Sequence, residues 1–249
     1  MTSAERPVTQ GLGAERGGAE ERVAVITGGG SGIGEAAVKR LAQLGFGVVA
    51  VGRRPQPLEK VAQAVADAGG RALAVPADLA DPLSPAEVVS KALERFGRLD
   101  IIVNNAAVIR TGPLDDVTPE LVDDHYAVNV RGPLLLVKAA LPALRESPDA
   151  AIVNVSSSVG SIVKPGNMLY GSTKAALEYL TRAWAYELAE DGIRVNCIAP
   201  GPVDTPIHAT YSTDLTATYA DLARRVPLLR MGHVDDIATW VCLLVAPGT

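Results

Sequence analysis

The segment Thr27-Gly28-Gly29-Gly30-Ser31-Gly32-Ile33-Gly34 decides the fold of this chain. It directly follows the apolar run Val23–Ile26 and opens a stretch with helical periodicity, Gly34–Leu44. Glycines permit a tight turn and let backbone N–H groups approach a phosphate at the positive end of a helix dipole. The glycine spacing is not the G-x-G-x-x-G fingerprint. In this strand–turn–helix context we still predict a dinucleotide-binding turn, with these binding residues: Gly28, Ser31, Gly32, Ile33 and Gly34.

The rest of the chain repeats the alternation of short apolar runs and longer amphipathic stretches. Five further runs rich in Val and Ile are predicted as strands buried on both faces: Phe46–Val51, Ala72–Val75, Ile101–Val103, Ala151–Val155 and Ile193–Ile198. Four further stretches are predicted as helices: Pro57–Ala68, Pro85–Phe96, Pro119–Leu144 and Tyr170–Glu190. Such alternation implies parallel strands with helical crossovers. The fold class is therefore α/β, a Rossmann-like doubly wound parallel sheet.

Two segments lie outside this alternation. Residues 1–20 contain no apolar core of the kind found in secretory signals, so we expect a flexible tail before a single domain over 21–249. Residues 205–230 follow the sixth predicted strand at its carboxyl end, where open α/β sheets bind ligands. A long segment in that place is typical of a lid over a substrate.

Composition argues against several classes of protein. The formal net charge of the 249 residues is -5, which differs from the basic surface of a nucleic-acid-binding protein. The run Ile237–Ala246 is too short to cross a bilayer and suits a buried helix. The two cysteines and three histidines show no disulfide or zinc spacing. We expect a cytoplasmic protein with no metal site and neither nucleic acid nor membrane as partner.

The end of the second predicted strand selects the type of dinucleotide. An Asp or Glu in this place binds the ribose of NAD, whereas an Arg can hold the 2′-phosphate of NADP. The sequence reads Val51-Gly52-Arg53-Arg54, without an acid, and a guanidinium makes charge-assisted, often bidentate bonds with a phosphate. We therefore expect NADP(H), bound through Arg53 and Arg54, with NAD(H) as the alternative.

Tyr170 and Lys174 are the candidate chemical centre. They are four residues apart at the start of a predicted helix and share one face. A phenol has a pKa near 10, and a neighbouring ammonium is expected to lower this pKa because it favours the phenolate. Lowering the pKa by roughly three units requires about 4 kcal/mol of stabilisation of the phenolate relative to the phenol. Ser157, after the fifth predicted strand, could donate to a substrate oxygen. The spacing Tyr-x-x-x-Lys is common by chance. It indicates a catalytic site only together with the strand and Ser157 that precede it.

The order of glycine turn, Ser157 and Tyr170-x-x-x-Lys174 resembles the one-domain branch of the short-chain dehydrogenase/reductase family over Arg22 to Ala246. The resemblance implies hydride transfer between a nicotinamide and an alcohol or ketone. It places Asp78 and Leu79 at the adenine and Asn105 and Ala106 in a variant N-N-A-G motif. It assigns Asn129 to a proton relay with Ser157, Tyr170 and Lys174. It puts the following residues beside the nicotinamide: Pro200, Gly201, Val203 and Thr205.

The resemblance also implies a homo-oligomer, a tetramer or dimer, and a seventh strand after Ala246. The sequence ends at Thr249, so either the chain is truncated there or the edge of its sheet is finished in some other way. We expect the sheet to lack that strand and a tetramer to be less stable than that of a relative with the strand.

The class of substrate is predicted from the residues expected around Tyr170. The expected pocket walls are mostly apolar and indicate a ketone or secondary alcohol with a hydrophobic body: Val108, Ile162, Met168, Ile207 and Tyr211. His208 is expected to be a solvated loop residue, and Arg224 and Arg225 could receive an acidic carrier. We predict an NADP(H)-dependent carbonyl reductase, of ketoacyl type or related. The alternatives are an NAD-dependent alcohol, polyol or steroid-type dehydrogenase and a dinucleotide-sensing regulator without activity.

Overall fold

The computed structural model describes residues 22–247, which form a six-stranded parallel sheet in the order β3-β2-β1-β4-β5-β6. The strands are β1 (Val23–Thr27), β2 (Gly47–Gly52), β3 (Arg71–Pro76), β4 (Ile101–Asn104), β5 (Ala151–Val155) and β6 (Arg194–Ile198). The doubly wound α/β fold predicted from the alternation is confirmed. The tail predicted for residues 1–20 lies outside the described residues.

Helices cover both faces of the sheet. They are α1 (Gly32–Gln43), α2 (Pro55–Asp67), α3 (Ser84–Phe96), α4 (Pro119–Tyr126), α5 (Gly132–Arg145), α6 (Met168–Glu187), α7 (Leu215–Arg224) and α8 (Val234–Leu244). One core cluster joins α1, α2 and α8 to the sheet, and the other joins α3, α5 and α6 to its opposite face. The strand order reverses between β1 and β4, and ligands bind at that crevice in folds of this class.

The outer strands differ from the prediction that every strand is buried on both faces. β1, β4 and β5 are buried at every residue. β3 and β6 are only partly buried, because within residues 22–247 each has a neighbouring strand on one side only. Their apolar sequences therefore predicted correctly that they are strands of the sheet, but could not distinguish an edge strand from a central strand.

The helix predicted over Pro119–Leu144 is interrupted. A π-helical turn, Ala127–Arg131, separates α4 from α5, and turns of this kind are frequently found at functional sites. By length and composition the whole stretch Pro119–Arg145 could cross a membrane, but half of its most apolar window is buried in the protein. A core helix passes the same test.

The segment predicted as a lid contains regular structure. It begins with a 3₁₀ turn, Pro206–Thr210, and continues into α7. Its two ends are tied together, since Asp204 donates to the Gly232 carbonyl at 3.0 Å and Gly232 donates to the Pro202 carbonyl at 2.9 Å. Motion of this segment stays a prediction.

Candidate active site

A cavity of about 940 Å³ opens at the carboxyl ends of the central strands. It brings together most residues that the sequence singled out: Gly28, Ser31, Gly32, Ile33, Arg53, Arg54, Asn105, Ala106, Ser157, Ile162, Tyr170, Lys174, Pro200, Gly201, Val203, Thr205, Ile207 and Tyr211. These residues come from six separate parts of the chain. The fold therefore assembles one continuous cleft from the glycine turn to Tyr170.

Six predicted site residues do not line this cavity: Gly34, Asp78, Leu79, Val108, Asn129 and Met168. Gly34 lies behind the turn. Asp78 is exposed after β3, where its carboxylate accepts from the Ala80 amide at 3.0 Å. Val108 is buried, and Met168 begins α6 with its side chain partly exposed. Val108 and Met168 therefore do not form the pocket walls expected of them. The cofactor roles of Gly34, Asp78 and Leu79 stay predictions.

The glycine turn needs its glycines for backbone shape and for space. Gly28 and Gly32 have positive φ, 68° and 57°, a region that favours glycine. A Cβ on Gly34 would lie 2.2 Å from the Gly28 carbonyl oxygen. Ser31, in extended conformation, precedes α1 and provides no side-chain cap for it. The first N–H groups of α1 therefore lie beside the cleft without a side-chain acceptor from Ser31, as an anion site requires.

The turn is fixed from behind by the end of β4. The Asn105 side chain donates to the Thr27 carbonyl at 2.8 Å, and the Thr27 hydroxyl accepts from the amides of Asn105 and Ala106 at 2.9 and 3.0 Å. A Cβ on Gly28 would lie 2.7 Å from Asn105 Nδ2. These contacts couple the ends of β1 and β4 across the crevice.

Arg53 and Arg54 extend from the end of β2 along the same cleft. Both side chains are exposed and line the cavity. Within residues 22–247, neither guanidinium makes a hydrogen bond or an ion pair. Both are therefore available to an anionic ligand, as the prediction of a 2′-phosphate contact requires.

Ser157, Tyr170 and Lys174 meet in the middle of the cleft. The Ser158 amide donates to the Pro200 carbonyl at 2.8 Å, which holds the serine loop against the segment Pro200–Thr205. α6 carries Tyr170 and Lys174, and the Lys174 ammonium lies 5.6 Å from the centre of the phenol ring. The ammonium donates to the Val155 carbonyl at 2.7 Å. A carbonyl placed beside Ser157 and Tyr170 would meet two hydroxyl groups at once.

The electrostatics of this centre correct one expectation. Burial raises the pKa of Tyr170 to about 12, and a hydrogen bond with Ser157 acts in the opposite direction. Burial lowers the pKa of Lys174 to about 8, partly offset by Cys197 and Glu178. The expected net lowering of the Tyr170 pKa is therefore not found in the protein alone, because desolvation of the phenol dominates.

The lowered pKa of Lys174 predicts a pH-dependent stability. Between pH 8 and 10.5 the unfolded chain binds more protons at this lysine than the folded chain, so the stability contribution of Lys174 rises with pH. Relative to the Lys174→Met variant, the wild type should gain about 3 kcal/mol across that window, at about 1.4 kcal/mol per pKa unit. Urea unfolding of both proteins at several pH values measures this; a difference that is flat with pH, or falls, would contradict the buried ammonium.

Asn129 is buried within the π-helical turn. Its side chain accepts from the Val108 amide at 2.8 Å and donates to the Val108 carbonyl at 2.9 Å and the Thr173 hydroxyl at 3.0 Å. Both amide hydrogens are therefore used inside the protein. The structure gives Asn129 a positioning role between α5, α6 and the end of β4, and the proton relay expected of it stays a prediction.

His208 was expected in solvent but is buried. Its Nε2 donates to the Val203 carbonyl at 2.8 Å, which leaves Nδ1 to accept a hydrogen bond from the Tyr211 hydroxyl. The rings of Tyr211 and Tyr219 contact it edge-on. His208 thereby ties the base of the lid to the wall of the cleft. Sequence reasoning missed it, because a histidine among Thr and Pro residues gives no sign of burial.

The three histidines lie in separate environments. His125 is buried and accepts from the Arg110 amide at 3.1 Å, while His233 caps α8. Across the part of the chain that the structure describes, no three His, Cys, Asp or Glu side chains are grouped so that they could hold a metal ion. The absence of a metal from the protein stays a prediction.

Comparison with known proteins gives consistent matches over nearly the whole chain. The family model described as short chain dehydrogenase matches residues 22–216. The cis-4-hydroxycyclohexanecarboxylate dehydrogenase of Sinomonas cyclohexanicum is 37% identical over 227 residues, which are 91% of this chain and 90% of that protein.

Two solved structures have the same fold. The 3-ketoacyl-(acyl-carrier-protein) reductase of Brucella melitensis, complexed with NADH, is 35% identical, has a TM-score of 0.84 and matches 92% of both chains. A short chain dehydrogenase of Burkholderia cenocepacia, in complex with NADP, is 36% identical, has a TM-score of 0.85, and matches 94% of this chain and 93% of that one. Identity above one third over this length extends the likeness from fold to family.

Proposed function

Because this chain belongs to the short-chain dehydrogenase/reductase family, we propose that it is an NADP(H)-dependent reductase of ketones that also oxidises the corresponding secondary alcohols. One observation carries the proposal: Ser157 and Tyr170 lie over a buried Lys174, in the same cleft as the glycine turn. Reaction at C=O or CH–OH is common to the ketoacyl reductase and the hydroxycyclohexanecarboxylate dehydrogenase named above. This chemistry needs a hydride donor and a proton donor at one carbonyl.

The residues of the cleft fit a nicotinamide dinucleotide. The glycine turn leaves space that a Cβ would fill at Gly28 and Gly34, and the start of α1 suits a pyrophosphate. A Cβ on Gly32 would lie 3.4 Å from the Thr205 side chain, so the segment Pro200–Thr205 lies beside the glycine turn. This segment would hold the nicotinamide end of the dinucleotide. When bound, that ring gives a hydride to the carbonyl carbon or takes one from the alcohol carbon.

The protein's own residues handle the proton. In the reducing direction Tyr170 donates its hydroxyl proton to the substrate oxygen while that oxygen gains negative charge, and Ser157 donates a hydrogen bond to the same oxygen. The raised pKa of Tyr170 keeps its hydroxyl protonated near neutral pH, and a general acid needs this protonated form. Lys174 then favours the phenolate that remains, because a positive charge stabilises a neighbouring anion.

Preference for NADP(H) rests on Arg53 and Arg54, which lack a partner within the described chain and lie where the 2′-phosphate of the ribose would bind. An NAD(H)-dependent dehydrogenase is the second candidate, since one similar structure holds NADH and another NADP. The choice between these cofactors therefore depends on the basic pair after β2.

Replacing Arg53 by Ala tests that choice. We expect NADPH binding to weaken by about 1.5–3 kcal/mol, the range for hydrogen bonds to charged groups, while the Kd for NADH changes little. Isothermal titration calorimetry with both cofactors measures this. Lys39→Ala is a matched control, because it removes one exposed cation that pairs with Glu35 on α1. Tighter binding of NADH than NADPH by the wild type would instead support the NAD-dependent alternative.

We further propose that the protein is a cytoplasmic homo-oligomer. Its two cysteines, Cys197 and Cys242, are both free, as expected in a reducing compartment. Tyr179 and Tyr186 on the outer face of α6 are 66% and 87% exposed. Aromatic side chains are enriched at protein interfaces, so this helix is the favoured contact in a dimer or tetramer.

A further inference from the structure

The cleft is lined by cations and, within the described chain, by no acid. Its charged lining residues are Arg53, Arg54, Lys164, Lys174 and Arg225. The proposed function uses the two arginines after β2 and the lysine beneath Tyr170. It gives no role to Lys164 and Arg225.

Lys164 lies in the loop between Ser157 and Tyr170, six residues before the tyrosine, and is half-buried. Its ammonium makes no hydrogen bond or ion pair with any residue in the range 22–247. Burial lowers its pKa, the positive charge of Arg225 lowers it further, and Asp221 offsets this in part. A half-buried ammonium that faces another cation is costly unless an anion lies between them.

Arg225 follows the last turn of α7 and reaches the cleft from the lid. It pairs with Asp221 at 2.8 Å through Nη2, and a guanidinium keeps further N–H donors for a second anion. Arg224 contacts the same carboxylate at 3.7 Å but does not line the cavity. Arg224 and Arg225 therefore share the carboxylate of Asp221, whose negative charge offsets only in part the effect of Arg225 on Lys164.

Resting on the proposed function, we propose that Lys164 and Arg225 form a subsite for a carboxylate on the substrate, so that the enzyme acts on keto acids and hydroxy acids. A guanidinium fork and an ammonium together match a planar carboxylate. Because the loop to Tyr170 supplies one cation and the lid supplies the other, a bound carboxylate would bridge these two walls of the cleft. A small acid is favoured over an acidic carrier protein, since Lys164 is half-buried inside the cavity.

Reduction of keto acids and of their methyl esters, with a fixed NADPH concentration, tests this subsite. We expect kcat/KM of the wild type to favour the acid over the ester of the same ketone about 10- to 100-fold, mainly through KM, the range of a charge-assisted bond. Lys164→Met should remove most of this preference and Arg225→Gln part of it. Arg224→Gln, which removes a neighbouring cation outside the cavity, should keep the preference.

Two results would overturn the subsite: equal kcat/KM for acid and ester in the wild type, or an equal loss on both substrates in Lys164→Met. A preference for acyl groups on an acidic carrier protein that depends on Arg224 as much as on Arg225 would point to the carrier instead. Failure of the proposed function looks different, because then no ketone in the panel is reduced. Calorimetric titration of the NADP⁺-loaded protein with the hydroxy acids would still show carboxylate binding that Lys164→Met weakens, or refute it.

Discussion

Tyr170→Phe is expected to lower kcat for ketone reduction about 10²–10⁴-fold, the range for loss of a positioned general acid. Phenylalanine keeps the ring that packs over Lys174 but has no proton to give to the substrate oxygen. Ser157 remains and can only donate a hydrogen bond. Steady-state oxidation of NADPH, followed by its absorbance with a saturating ketone, measures the loss.

The same variant should bind NADPH nearly as tightly as the wild type, which distinguishes lost chemistry from lost folding. Tyr179→Phe is the matched control, since Tyr179 lies on the same helix but is 66% exposed and lies outside the cleft. Turnover by Tyr170→Phe at the wild-type rate would contradict the assignment of the proton donor. Binding of NADPH by the wild type without turnover of any ketone or secondary alcohol would instead support the dinucleotide-sensing alternative.

Gly34→Ala is expected to destabilise the protein by about 3 kcal/mol or more and to abolish dinucleotide binding. Alanine in a helix is ordinarily favoured over glycine, so a loss here must come from packing. The new Cβ would lie 2.2 Å from the Gly28 carbonyl oxygen and 2.6 Å from Asn105 Nδ2. The carbonyl belongs to the turn itself and cannot rotate away as a flexible side chain would, so the cost is at the upper end for overpacking.

Gly52→Ala provides the comparison, because its Cβ would meet only the Leu58 side chain at 3.7 Å or more. We expect its free energy of unfolding to stay within about 0.5 kcal/mol of the wild type, as for ordinary substitutions. Urea unfolding of the three proteins, with calorimetric titration of NADPH, makes the measurement. Normal stability of Gly34→Ala would show that the turn is looser than the contacts of Gly28 and Asn105 indicate.

The sequence could predict the fold because each strand is an apolar run and each crossover an amphipathic one. It predicted β5 to the residue and both ends of every other strand to within one residue. It could not separate edge strands from central ones, since Ala72–Val75 is as apolar as Val23–Ile26. It also missed the π-helical turn at Asn129, whose side chain makes hydrogen bonds with Val108 and Thr173 from distant parts of the chain. It missed α7 as well, which Asp214 caps within a segment bounded by Pro206 and Pro227.

The candidate site was predictable where a motif fixes it and not where packing does. Tyr170, Lys174, Ser157 and the glycine turn were found by type and spacing, and the structure brings all of them to one cleft. The burial of His208, the opposed Lys164 and Arg225, and the raised pKa of Tyr170 depend on which loops face each other across the cavity. That information is absent from local sequence.

The central claim is that a nicotinamide hydride and the Tyr170 proton are added to the same carbonyl group. The most direct test is reduction of the keto-acid panel with NADPH deuterated at C4, on one face and then on the other, with mass spectrometry of the alcohols. The account predicts one deuterium on the carbinol carbon with one of the two labelled cofactors, and no such product in comparable yield from Tyr170→Phe. Alcohol without deuterium from both cofactors, or bound NADPH that no ketone oxidises, would contradict it.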